Sequence, residues 1–504
     1  MGRRCSLIGL AVVVLGLAFS ATGLGAPARA EPAKQAKPPQ DEEYELQRIL
    51  VDTLDQVQRN YVREVSRRKL IEAAIKGMLS ELDPYSSYIG PDEMDRFRTS
   101  VESEFGGIGI QVTVEDGQLK VLSPLVGTPA YRAGLTAGDR IVEIEGTSAG
   151  EITLDEAVRR LKGKAGTQVT LTVVHPGKTA REKITLTREM IHIDTVLGDR
   201  RKPDDRWDFM LDRQRGIGYI RLSAFSRETA DELDRALKEM KQEKLRGLIL
   251  DLRFNPGGLL SSAIQVSDLF VSRGRIVSTA GRNSPERVWE ARKEGTYDGF
   301  PMAMLVNRYS ASASEIVAAC LQDHKRAVVI GERTWGKGSV QNVIPLDDPP
   351  GRSEAAASKG LTGPRSALKL TTAGYRRPNG KNIDKPPGAK EDDAWGVMPD
   401  PGFEVKLSPQ ELASLVENRR QRDIVAGKSP GEAKAKAEAP KAEPPKPEPP
   451  KAGQSKPAPG AAPAAGKDGD SKASPPATET PGEAVDRQLQ KAIEYLTMEL
   501  ARAK

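Results

Sequence analysis

Between Gly216 and about Leu407 the chain alternates between two kinds of hydrophobic pattern, and that alternation narrows its fold more than any other feature. Ile217 to Leu222, Leu248 to Leu252, Met302 to Val306 and Ala327 to Ile330 read as short strands. Between them, Glu228 to Lys241, Leu259 to Phe270 and Ser314 to Gln322 read as helices. Such alternation predicts an α/β core, with its site at the carboxyl ends of the strands.

The rest of the chain follows other patterns. Phe105 to about Glu189 holds β-branched runs at Ile108 to Val114, Lys120 to Val121, Arg140 to Ile144, Val169 to Val174 and Lys183 to Leu186. Gly, Asp and Pro turns separate them, and one helix is expected over Leu154 to Leu161, which suggests a small β-rich module. Tyr44 to about Val101 reads as helical, with a first series at Leu46, Ile49, Leu50, Leu54 and Val57 and a second running from Ile71 to Leu82. Asp83-Pro84 is expected to end the second helix. These helices are expected to join copies of the chain in a homo-oligomer, or else to pack on the α/β core of their own chain.

From Gly427 to Glu483 there is no Ile, Leu, Val, Met, Phe, Trp or Tyr. Such a stretch cannot bury enough apolar surface to offset chain entropy, so it is expected to be a disordered linker. Its Lys and acidic residues nearly cancel, so it is no basic arm for nucleic acid. Beyond it, Val485, Leu489, Ala492, Ile493, Leu496 and Leu500 share one helical face. A lone helix of that length is marginal in water, so it is expected to dock back on the core.

Arg3 and Arg4, the apolar run Leu7 to Phe19 and Ala28-Arg29-Ala30 have the form of a cleavable export signal. The expected address is the periplasm or cell envelope, with a membrane anchor only if the segment is retained. Cleavage would leave Cys320 as the single cysteine, with no internal disulfide. Three histidines, His175, His192 and His324, argue against a multi-His metal site and leave few candidates for a Ser-His-Asp triad. A net charge of +6 without a dense basic run does not point to nucleic acid.

Three stretches carry residues suited to chemistry. In Val306 to Glu315 a strand ends, small residues turn the chain and a helix begins. A serine at such a helix start sits near free N–H groups and suits a nucleophile whose attack creates an oxyanion, although Ser-Ala-Ser-Ala-Ser also suits plain capping. A base must accompany such a serine. No motif ties His324 to the serines, whereas Lys337 follows the next strand between two glycines and beside Trp335. A buried lysine can lose its proton near neutral pH. In an extended segment Lys337, Ser339 and Gln341 would point the same way, and Gln341 could orient the amine. Gly331-x4-Gly336-Lys337 also matches the front of a phosphate-binding loop, but Gly338 stands where a Mg²⁺-ligating Ser or Thr belongs. The third stretch, Asp251-Leu252-Arg253-Phe254-Asn255-Pro256-Gly257-Gly258, runs from a strand into a tight turn. Its glycine N–H groups could bind an oxyanion, or the stretch is an ordinary strand–helix turn.

Together these stretches resemble the carboxy-terminal processing peptidases, serine proteases with a Ser-Lys pair. The resemblance covers roughly residues 44–407 plus the last helix. It implies Ser312 as nucleophile, Lys337 as base and Gln341 as the third member. It also implies an oxyanion hole from the backbone of Gly258 and Ala313, and a supporting role for Asp323. The implied core fold is the crotonase/ClpP-like α/β spiral, and no metal or other cofactor is implied. The β-rich module resembles a PDZ domain. Gly106-Gly107-Ile108-Gly109-Ile110 fits the loop and strand that capture a peptide C-terminus, so Gly107, Ile108, Gly109 and Ile110 are its expected binding residues. Tyr309 departs from the glycine common in the family before the serine run.

The expected organisation is a signal at 1–30, a linker at 31–43, a helical region at 44–104, a PDZ domain at 105–190, a Ser-Lys core at 191–425, a disordered segment at 426–483 and a docking helix at 484–504. The expected function is an exported endopeptidase that selects proteins or peptides with apolar C-termini, with an adaptor as a further expected partner. A catalytically silent PDZ scaffold and a nucleotide-binding protein are the rivals.

Overall fold

The computed structural model describes residues 39–346, 366–425 and 485–502. The export signal, most of the 31–43 linker and the 426–483 segment lie outside the described residues. The chain divides into two compact units, Met1–Ala74 and Ile75–Lys504. In the first, the helix Pro39–Asn60 is followed by the start of the helix Arg67–Ser80, and Arg67 Nη1 donates to Asp55 Oδ1 at 2.8 Å. Tyr44, Leu46, Ile49 and Leu50 are exposed along the first helix.

The second unit is built on the alternating stretch. Ile217–Leu222, Gly247–Asp251, Met302–Val306 and Val328–Gly331 lie side by side in parallel, with Val196–Leu197 and Met210–Asp212 added antiparallel to the first. Side chains alternate across a strand, so each strand feeds two cores. Leu248, Leu250, Met302, Met304 and Val329 pack with the helices Thr229–Gln242, Leu260–Asp268 and Ala313–Asp323. Ile217, Tyr219, Ile249, Ala303, Leu305 and Ile330 face the other way, onto Ala492, Leu496 and Leu500 of the helix Arg487–Arg502.

A second sheet, in the order Ser87–Ile89, Ala367–Arg376, Gly274–Gly281, Ser284–Ala291, carries Ser339–Pro345 on Ala367–Arg376. Two corrections to the sequence reading follow. The 44–104 region is not helical throughout, because a turn and the strand Ser87–Ile89 separate the helix Arg67–Ser80 from the helix Pro91–Glu102. That strand is claimed by the core sheet, a tertiary pairing that local periodicity cannot reveal. Lys337 does not share a strand with Gln341 either. The strand starts at Ser339, and its register shifts between Val340 and Gln341, which breaks the simple alternation.

The β-rich module is a five-strand antiparallel path, Ile110–Glu115, Gln118–Pro124, Arg140–Ile144, Gln168–Val174, Glu182–Thr187, with the helix Leu154–Leu161 packed on it. It leaves and rejoins the core through one antiparallel ribbon, Glu104–Gly107 against Glu189–His192.

Candidate active site

Three loops leave the carboxyl ends of the adjacent strands Gly247–Asp251, Met302–Val306 and Val328–Gly331, and they are stitched to one another. Asn255 anchors the first. Its Nδ2 donates to Leu222 O at 2.9 Å, its Oδ1 accepts Gly257 N at 2.8 Å, and its own carbonyl accepts Ala311 N at 3.0 Å. Asn307 Oδ1 accepts Phe254 N at 3.0 Å, and Trp335 N donates to Ser310 O at 3.0 Å. Tyr309, where the resemblance leads one to expect glycine, stacks on Phe254 with ring centroids 5.5 Å apart.

These bonds distinguish the three serines. Ser310 Oγ donates to Leu252 O at 2.8 Å, and Ser314 Oγ donates to Asn255 O at 3.0 Å; both residues are fully buried. Ser312 instead stands half-exposed at the first turn of Ala313–Asp323, with φ 57° and ψ −113°. A non-glycine residue in that region is strained and is held there only by its surroundings. Gly257 leaves room for it, since a Cβ there would lie 2.8 Å from Ser312 Cβ.

Glu315, wholly buried one turn into that helix, ties the serine loop to the lysine loop. Its Oε2 accepts Ser312 N at 2.7 Å and Lys337 N at 2.9 Å. Its Oε1 accepts Gly336 N and Thr334 Oγ1, each at 2.6 Å. Burial pushes this carboxyl above its usual range, and the four donors restrain the rise. The glycines beside Lys337 are needed for packing. A Cβ on Gly336 would meet Lys385 Cβ at 2.8 Å, and one on Gly338 would meet Asp384 N at 2.4 Å.

Lys337 is half-buried, with Nζ 4.7 Å from the centroid of the Tyr85 ring. Burial lowers its pKa from the ordinary lysine value and Lys369 lowers it further, while Glu315 and Asp83 act in the other direction. Tyr375 reaches the lysine loop: its hydroxyl donates to Lys337 O. Gln341 Nε2 donates to Ser339 Oγ at 2.9 Å and to Thr371 Oγ1 at 3.1 Å. Gly258, at φ 149°, presses on Phe225, where a Cβ would lie 2.1 Å from the carbonyl oxygen.

Asp323 is not part of this group. It pairs with Arg377 at 2.7 Å and accepts Asn379 N at 3.2 Å, clamping the far end of the helix to the turn after Ala367–Arg376. The nucleotide reading also meets an obstacle, because Gly336 N and Lys337 N are already spent on a carboxylate. Sequence reasoning gave Asp83 only the role of ending a helix and assigned none to Glu315, Thr334, Tyr375 or Tyr85. The spacing Ser312-x-x-Glu315 is a capping-box signature that points to the first. No local signal marks Tyr375.

In the β-rich module Gly107 ends the ribbon strand, Ile108 is buried in the module's core, and Gly109 has φ 76° where a Cβ would lie 2.3 Å from Thr128. Ile110 opens the edge strand, which is paired on one side only and faces the helix Leu154–Leu161 on the other.

The fold and its family models define a PDZ-bearing peptidase: residues 216–400 match peptidase family S41, 120–174 match a PDZ domain, and 8–93 match the activating protease CtpB N-terminal domain. A carboxy-terminal-processing protease of Bartonella bacilliformis is 38% identical over 75% of this chain and 82% of its own length. A carboxyl-terminal-processing protease of Synechocystis is 33% identical over 72% of this chain and 76% of its own. A solved structure titled photosystem II D1 C-terminal processing protease is 28% identical over 75% of this chain and 98% of that one, with a TM-score of 0.38. The chain belongs to the carboxy-terminal processing protease family; it is a serine-type peptidase with a PDZ domain.

Proposed function

We propose that Ser312 is the nucleophile and Lys337 the general base of an exported endopeptidase that selects apolar C-termini through its PDZ domain. One observation carries the assignment: Ser310 and Ser314 spend their hydroxyls on buried carbonyls, while Ser312 is strained, reachable and tied through Glu315 to the lysine loop.

In this reading neutral Lys337 removes the Ser312 proton as Oγ attacks the scissile carbonyl. The developing oxyanion is taken by the backbone N–H groups of Gly258 and Ala313, the latter at the positive end of its helix. Lys337 then gives its proton to the leaving amine, and water repeats the cycle on the acyl-enzyme. A base with a lowered pKa loses its proton below the ordinary lysine value, so kcat/KM rises with pH through an apparent pKa beneath that value. Gln341 orients the amine, and the helix clamp at Asp323 supports the loops without touching the reacting atoms.

The PDZ edge strand Ile110–Glu115 supports capture of an extended peptide by strand addition. The core is read as a crotonase/ClpP-like spiral, and the exposed apolar side chains of Pro39–Asn60 support assembly of several copies. An adaptor is a compatible further partner. Among the described residues no helix is long and apolar enough to cross a membrane.

The test is hydrolysis of an unstructured polypeptide with an apolar C-terminus. Ser312→Ala and Lys337→Ala should abolish it, while Ser310→Ala and Ser314→Ala should retain activity but lose about 0.5–1.5 kcal/mol of stability with the buried hydrogen bond each hydroxyl makes. Substantial activity in Ser312→Ala would overturn the assignment, and binding of the tail without cleavage by wild type would favour the scaffold reading.

A further inference from the structure

The turn Asp83-Pro84-Tyr85-Ser86 stops a helix, but its hydrogen bonds reach the lysine site. Asp83 Oδ1 accepts Tyr85 N and Ser86 N, each at 2.8 Å, and Oδ2 accepts Ser86 Oγ at 2.7 Å. Asp83 Oδ1 also accepts Thr371 Oγ1 at 3.2 Å, and Ser86 Oγ accepts Thr371 N at 3.1 Å. The strand Ser87–Ile89 then pairs with Ala367–Arg376, in the register Ser87 opposite Lys369, and so holds the turn against the sheet.

The chain of donors has a fixed direction. An ionised carboxylate only accepts. Burial raises the Asp83 pKa, but bonds from Ser86, Tyr85 and Thr371 outweigh it, and the net shift is downward. Thr371 therefore gives its single hydroxyl proton to Asp83, and its oxygen can only accept from Gln341. Amide nitrogen and oxygen are told apart by their partners. Gln341 must turn its NH₂ toward Thr371 and Ser339, which leaves Oε1 as the acceptor for an ammonium. Tyr85 adds a wall: its ring lies under Lys337 Nζ at 4.7 Å, and its hydroxyl accepts Trp335 Nε1 at 3.4 Å.

We propose that the Asp83–Ser86 turn is a positioning element of the catalytic site, which fixes through Thr371 the direction of the Gln341 amide and so aims its carbonyl oxygen at Lys337. Asp83 and Thr371 are positioning residues and touch no substrate. The proposal rests on the reading of Lys337 as the base and Gln341 as its orienting partner.

The experiment is a double-mutant cycle on the full mature chain, read as kcat, KM and the acidic limb of the pH profile. Asp83→Asn and Thr371→Val should each lower kcat by about tenfold to a hundredfold with KM little changed, since the amide is free to flip. Thr371→Ser should retain wild-type kcat. Adding Asp83→Asn to Gln341→Ala should cost little more than Gln341→Ala alone, because the turn acts through that amide. Loss of the Asp83 charge should also move the acidic limb down by about half a unit. Thermal unfolding of each variant separates a misfolded turn from a misaimed amide, and Thr371→Val tests the relay if Asp83→Asn does not fold. Multiplicative losses in the double variant, or wild-type kcat in both single variants, would overturn the proposal. Lys337→Ala run in parallel keeps the two readings apart. If it is inactive while the cycle fails, the base stands and only the relay falls; if it is active, the base reading falls and the relay with it.

Discussion

Three serines lie within five positions here, and hydrogen bonding sets one of them apart from the other two. Ser310 and Ser314 hold the loop ends together, which leaves Ser312 at a strained φ of 57°. Glu315 maintains that strain, because one carboxylate oxygen grips both Ser312 N and Lys337 N. Glu315→Gln would aim an amide NH₂ at N–H donors. It should destabilise the fold by about 2–3 kcal/mol and lower kcat even where the protein remains folded, as thermal melts and steady-state kinetics would show. Tyr375 is a milder case. Its phenol donates to Lys337 O, and burial holds its pKa well above the ordinary value, so it stays protonated. Tyr375→Phe should cost about tenfold in kcat with KM unchanged, the signature of an alignment lost in the transition state.

At the scale of elements, the parallel strands were legible because each is a short apolar run between helical periods. Met302–Val306 and Ile217–Leu222 fall where the pattern puts them. The loop motifs were legible too, since Asn255, Ser310 and Gly338 are spaced as the turns require. What stayed hidden was set by distant partners: Ser87–Ile89 is a strand only because Ala367–Arg376 lies beside it, and the helix Pro409–Asp423 carries a weak periodicity. The same holds for Arg253, whose meaning comes from far along the chain. It is buried in the loop that leads to Gly258, paired with Asp251 at 2.7 Å and with Asp486 at 2.8 Å just before the helix Arg487–Arg502. Asp486→Ala should leave part of that guanidinium unmatched, cost about 2–3 kcal/mol and reduce kcat through the loop it anchors. Cys320 can report the loss. Burial pushes its thiol up to about 12, so native protein should resist iodoacetamide, and faster labelling in the variant would reveal opening of the core.

Across the whole molecule, the PDZ module is joined covalently to the core through one ribbon, and contacts such as Val425 N donating to Ser123 Oγ at 3.0 Å add to it. Glu232, on the helix Thr229–Gln242, accepts His192 Nε2 at 2.5 Å, Thr195 N and Thr195 Oγ1 at 2.8 Å, and Val196 N at 3.0 Å. Glu232→Ala would leave several buried donors unpaired at the root of the ribbon. Hydrogen exchange should then rise at residues 192–196, and preference for an apolar tail should weaken more than cleavage of tail-less substrate. The opposite face of the catalytic sheet has a consequence of another kind. Ile217, Tyr219, Ile249, Ala303, Leu305 and Ile330 are covered by a helix that starts only at Arg487, after Pro409–Asp423. A ribosome makes Ser312 and Lys337 well before that cover exists. The growing chain therefore carries both residues on a sheet with one bare, apolar side and an Arg253 still without its Asp486 partner. Order of synthesis thus leaves one face of the sheet without its cover until the stretch from Arg487 onward has been made.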